Sequence, residues 1–124
     1  MEKEVRTYIY YLRGPDKHPV ACVASRQVGD VVLFALSTRN PLDQWNRATA
    51  RNKALGRLMR SVAYMENALT DRAELDPPEG WFVLPEHDGL STKASILQII
   101  SYGSWFPARA RKAAKLWLKT QRFA

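Results

Sequence analysis

At 124 residues, with 46% hydrophobic and 25% charged side chains, the chain has the size and balance of one globular domain, residues 1–124, which excludes a disordered or multidomain reading. One cysteine, Cys22, excludes an internal disulfide and paired-cysteine zinc sites. With no membrane-length apolar run and no signal-peptide pattern in MEKEVRTYIYYL, a cytoplasmic protein without a membrane partner is expected, and a formal charge of +7 favours anionic partners.

Residues 1–40 read as a β-meander. Val5–Leu12 (VRTYIYYL) is rich in β-branched and aromatic residues, and GPDKH follows as a turn. Pro19–Ser25 is a second strand, RQVGD a second turn, and Val31–Ser37 a third strand, nearly all apolar and therefore central. The period then changes. Asn40 is a good cap, Pro41 suits a first helical position, and Asp43 sits in the first turn, so a long helix is expected over 41–74. Ala48, Leu55, Leu58, Met59, Val62, Met65 and Leu69 fall on one arc of about 120° that would face the sheet. Gly56 lies off that arc and suggests a close approach.

DPPEG stops the helix, and 75–90 is an acidic loop in which WFVLP is either a short fourth strand or a buried loop. Trp81 and Phe82 are expected in the core. Ser91 or Thr92 caps a short helix carrying Ile96, Leu97, Ile99 and Ile100 and ending near Gly103; Pro107 opens a last helix through about Gln121. The expected fold is α+β: an antiparallel sheet of three to four strands covered by one long helix, with two shorter C-terminal helices in a basic 91–124 region.

Charge is segregated. Residues 41–66 carry five bases against two acids, residues 67–90 one base against six acids, and residues 91–124 seven bases and no acid. On the long helix, Lys53, Arg57 and Arg60 line up with Tyr64 opposite the apolar arc. Arg47 lies at the arc's border and Arg51 inside it, where they could overhang the sheet edge or snorkel. A solvated face normally mixes signs, and this one does not. On the last helix Arg111, Lys112, Lys115 and Lys119 share one ridge, while Ala110, Ala113, Ala114 and Trp117 share a face suited to helix–helix contact, internal or across a homodimer. Trp105, after SYGS, is the candidate exposed stacking platform beside Tyr64. Cations for phosphates and aromatics for bases together point to nucleic acid, single-stranded or irregular. The alternatives are an acidic or nucleoprotein partner, or the chain's own acidic spacer.

Signals for catalysis are thin, and the reading leans away from an enzyme. Glu86–His87–Asp88 are consecutive, which rarely suits one metal, and Cys22 lies mid-strand like a buried hydrophobe. Neither a cofactor nor a metal site is assigned. The stretch from PVACVA to NPLDQWNRATARNKALGRL, with Pro41, Asp43, Trp45, Arg47, Arg51, Ala54, Leu55, Gly56 and Arg57, resembles small proteins of phages and mobile elements in which a sheet leads into a basic helix closing on A-L-G-R. That resemblance covers about a third of the chain. It implies a phage or mobile-element accessory acting inside a host cell, as a non-enzymatic nucleic-acid binder or as an anti-defence inhibitor or modulator of a host nucleoprotein.

Overall fold

The computed structural model describes residues 6–38, 46–66, 79–83 and 92–120. Among them, strands β1 (Thr7–Arg13), β2 (Pro19–Val28), β3 (Val31–Thr38) and β4 (Gly80–Val83) form one antiparallel sheet in the order β1-β2-β3-β4. Helices α1 (Arg47–Glu66), α2 (Thr92–Tyr102) and α3 (Ala108–Thr120) complete an α+β fold. β3 is interior, as its apolar run requires, and WFV belongs to a fourth strand.

Both faces of the sheet are covered. Alternation along β2 and β3 sends Cys22, Ala24, Leu33 and Ala35 toward α1. The intervening Ala21, Val23, Val32, Phe34 and Leu36 pack with Leu12 against α2 and α3. The C-terminal helices therefore close the second face of the sheet. Phe106, in the turn between them, stacks on Phe34 with ring centroids 6.0 Å apart. Ala110, Ala113 and Ala114 are buried, so the alanine face of α3 serves internal packing.

α1 begins later than its sequence cues suggest and is rotated from the expected arc. Asn46 Oδ1 accepts the Thr49 N–H at 3.0 Å, capping a helix that starts at Arg47 rather than Pro41. Asn40, Pro41, Asp43 and Leu69 lie outside the described residues. The buried stripe is Ala50, Ala54, Leu58, Ser61 and Val62, with Leu55 and Met65 half-buried, whereas Ala48 and Met59 are exposed. The sheet face beneath explains the rotation: its fully buried centre includes Cys22, Ala24 and Ala35, and the helix presents its own small residues for close contact there. Ser37 Oγ donates to the Ala50 carbonyl at 2.7 Å across this seam, and Ser61 Oγ returns to the Arg57 carbonyl at 3.3 Å. Cys22 is fully buried here; burial pushes its thiol up to about 11, with Arg51 pulling the other way.

Two glycines differ sharply. A Cβ on Gly80 would collide with the Phe34 ring, so that ring occupies the space a side chain would need. A Cβ on Gly56 would meet nothing within 4 Å, so no part of the fold makes the close approach expected there. Gly80→Ala should therefore lower the unfolding free energy by about 1–3 kcal/mol through overpacking. Gly56→Ala should raise it by about 1 kcal/mol through helix propensity. Urea denaturation of the two variants beside the parent checks both signs.

Candidate nucleic-acid interface

With the small-residue stripe of α1 against the sheet, Arg47, Arg51, Lys53, Arg57 and Arg60 are all exposed. Arg51 falls within the buried arc by angle yet is exposed, one turn from the start of α1, where its charge still reaches the Cys22 thiol. The Arg47 guanidinium lies 5.0 Å from the centre of the Tyr11 ring, a cation–π contact that ties the start of α1 to strand β1. Arg51, Lys53 and Arg60 make no ion pair with a described carboxylate. Tyr64 is half-buried and so offers less open ring than the stacking role needs.

Arg57 is held by the fold. β4 pairs with β3 only as far as Phe34, and beyond that point the Leu36 carbonyl accepts Arg57 Nη1 at 2.7 Å. Arg57 Nε also lies 3.9 Å from Glu79 Oε1, with both side chains well exposed, so this ion pair adds at most about 1 kcal/mol. The main-chain carbonyl of the same Glu79 accepts the Trp105 indole N–H at 3.0 Å. Trp105 also leans on Phe106, centroids 5.2 Å apart, yet its ring is 67% exposed. Glu79 thus joins a candidate phosphate contact on α1 to a candidate stacking ring on the α2–α3 turn, from opposite sides of the sheet. The sequence carries no signal for this link, since Glu79 reads there as one acid of a spacer.

Trp81 corrects the expectation of a core tryptophan: it is 56% exposed. In the pairing register it stands opposite Leu33, on the α1 side, while Gly80 and half-buried Phe82 take the alternate side against Phe34 and Val32. An edge strand of four residues gives its outer-facing positions little cover. Met59 is exposed on α1, and its Sδ receives Arg26 Nη1 at 3.6 Å. Arg26 itself stands on β2 opposite Leu33.

The α3 cations form a separate set. Lys112, Lys115 and Lys119 are exposed, together with Arg109, which the ridge assignment omitted. Arg111 is half-buried and donates Nε to the Phe106 carbonyl at 3.1 Å, so it secures the turn before α3 and does not lie open on the ridge. α3 packs on the sheet face opposite to α1. The structure therefore groups Lys53, Arg57 and Arg60 on one face of α1 and links Arg57 to Trp105 through Glu79, while Arg51 lies on the opposite side of the helix near Cys22 and Lys112, Lys115 and Lys119 sit on α3. Glu86, His87 and Asp88 lie outside the described residues. No helix among the described residues is long and apolar enough to cross a membrane.

Comparison of the chain with protein-family models, with curated proteins and with solved structures finds no match.

Arg57→Ala should cost about 1.5–3 kcal/mol of stability, because it strips a charged donor from the Leu36 carbonyl. Lys53→Ala, on the same helix face with no such bond, should stay within about 0.5 kcal/mol of the parent. Thermal and urea denaturation in parallel separate the two.

Proposed function

We propose that this protein is a non-enzymatic nucleic-acid binder that favours single-stranded or irregular nucleic acid, in the phage or mobile-element setting suggested by its α1 motif. The observation that carries the reading is the Arg57–Glu79–Trp105 connection. It ties an exposed aromatic ring, around the β4 edge, to a helix whose Lys53 and Arg60 share the Arg57 face and meet no described carboxylate. Phosphates would meet the cations, and an unpaired base would stack on a ring whose orientation is already set, at a reduced entropic cost. A duplex hides its base faces, which is why single strands are favoured. The α3 lysines face the other way and would contribute general attraction rather than the same contacts.

A second reading is favoured by the exposed apolar side chains on and near edge strand β4. Trp81, Val83 and Met59 beside Arg26 are the residue types enriched in protein contacts, which suits an inhibitor or modulator of a host or defence nucleoprotein complex. Pull-down from nuclease-treated host lysate distinguishes the two: a specific partner retained after digestion, and lost on Trp81→Ala, supports the protein-binding reading.

Fluorescence polarisation with single-stranded DNA, duplex DNA and RNA across salt concentrations tests the lead reading. Three phosphate contacts on α1, at Lys53, Arg57 and Arg60, predict a log–log salt slope of about −2 on single strands. Lys53→Ala and Arg60→Ala together should flatten that slope by about 1.4. Trp105→Ala should weaken single-strand binding by about 1–3 kcal/mol while leaving the slope nearly unchanged. A flat salt dependence, or equal loss on single and double strands with Trp105→Ala, removes the proposal.

A further inference from the structure

A second basic feature lies at the other edge of the sheet, outside the α1 surface. Between β1, the β1–β2 hairpin and α3 runs a groove of about 320 Å³, whose lining includes Arg13, Lys17 and Lys93 together with Tyr11, Trp117 and Thr120. The groove lining contains three cations and no carboxylate. Asp16, in the same hairpin, accepts the His18 N–H at 3.2 Å and lines the neighbouring cleft instead.

Two of these cations occupy positions that the fold alone disfavours. The hairpin loop closes through Lys17 N–H to the Gly14 carbonyl and Gly14 N–H to the His18 carbonyl, both at 3.0 Å. Its last residue is left-handed, with φ of 66°, a position that glycine or asparagine fills without strain; here it is Lys17. Lys93 stands in the first turn of α2, where the helix dipole opposes a positive charge. Its ammonium is held over two rings, 4.7 Å from the Tyr10 centroid and 4.8 Å from the Trp117 centroid. Partial burial lowers its pKa, as expected for a cation with reduced access to water. Lys93 also borders an adjoining cavity of about 300 Å³ with Tyr10, whose buried hydroxyl has no hydrogen-bond partner among the described residues and whose ionisation burial pushes up, so it remains a donor.

We propose that this groove binds a phosphate group, held by Lys17, Lys93 and Arg13 beside Trp117. A doubly charged oxyanion offsets the mutual repulsion of three cations and accepts from all of them. The cavity is at the small end of ligand-sized clefts, which suits a phosphate monoester rather than a large cofactor. Arg13 is already oriented, since its Nη1 donates to the Lys17 carbonyl at 2.9 Å and leaves its other guanidinium donors for the ligand. The phosphate could come free, as in a mononucleotide, or from the 5′ end of a strand. This site does not depend on the α1 surface, and the two proposals fail separately.

Lys17→Gly is the decisive variant, because glycine relieves the left-handed backbone while removing the charge. Without ligand it should melt about 2–4 °C above the parent. Calorimetric titration with inorganic phosphate and with AMP should then show binding to the parent, weakened roughly tenfold in Lys17→Gly and in Lys93→Met. A 5′-phosphorylated oligonucleotide should outcompete its 5′-hydroxyl counterpart if strand ends are the source, and tie with it if free phosphate is. The proposal is overturned if the parent binds neither phosphate nor AMP, or if Lys17→Gly binds them as tightly as the parent does. Should Lys93→Met fold poorly, Lys17→Gly decides alone.

Discussion

The constraint on which this molecule rests is that β2 and β3 are apolar on both sides. An antiparallel sheet commonly leaves one face to water. Here Cys22, Ala24, Leu33 and Ala35 on one side, and Val23, Val32, Phe34 and Leu36 on the other, leave no such face. Two covers are therefore required, and they differ in kind. α1 lies close over small side chains and is tied by the Ser37–Ala50 hydrogen bond. The α2–α3 pair fills a deeper space with Ile96, Leu97, Ile100 and Phe106. Truncating any of these large buried residues, Leu58 under α1 included, forfeits both transfer energy and packing, on the scale of 2–5 kcal/mol.

Once both faces are covered, polar chemistry has two places left: the outer sides of the helices and the edges of the sheet. Both are used. At the β4 edge, Glu79 turns its side chain to Arg57 and its main-chain carbonyl to Trp105, linking the two covering layers around the sheet. At the β1 edge, Tyr11 takes Arg47 over its ring and also lines the groove that holds Lys17 and Lys93. The basic character evident in the composition is thus distributed over α1, which reaches from the β1 edge at Arg47 to the β4 edge at Arg57, and a groove beside β1.

The fold class, the interior position of β3 and the breaks between α2 and α3 were legible, because periodicity, glycine and proline report local geometry directly, whereas WFVLP read equally as strand or buried loop. The orientation of α1 was not. Hydropathy arithmetic favours Leu and Met over Ala and Ser, and so it drew Met59 inward and passed over Ala50, Ala54 and Ser61, which pack over Cys22, Ala24 and Ala35 instead. Trp81 was misplaced for a related reason, since its exposure depends on β4 being an edge strand, a property of pairing order rather than of composition. Among the site residues, charge type and exposure were readable for Lys53, Arg60, Lys112, Lys115 and Lys119. The commitment of Arg57 and Arg111 to main-chain carbonyls was not, because those acceptors are distant in sequence or depend on how a turn folds. The left-handed backbone at Lys17 was equally hidden, since GPDKH reads as a turn whichever residue takes the strained position.

The ring of Phe34 lying across Gly80 has a consequence for what else can join this sheet. On the outer side of β3, the position opposite Phe34 favours a bare α-carbon in a pairing strand, since a side chain there must displace the ring. Sliding β4 along by two residues would set Phe82 there, and a foreign segment would collide unless it carried glycine at the same place. The aromatic ring thus works as a keyway. It admits the chain's own GWFV segment in one alignment and turns away the promiscuous strand additions to which an open, doubly apolar ribbon would otherwise be prone.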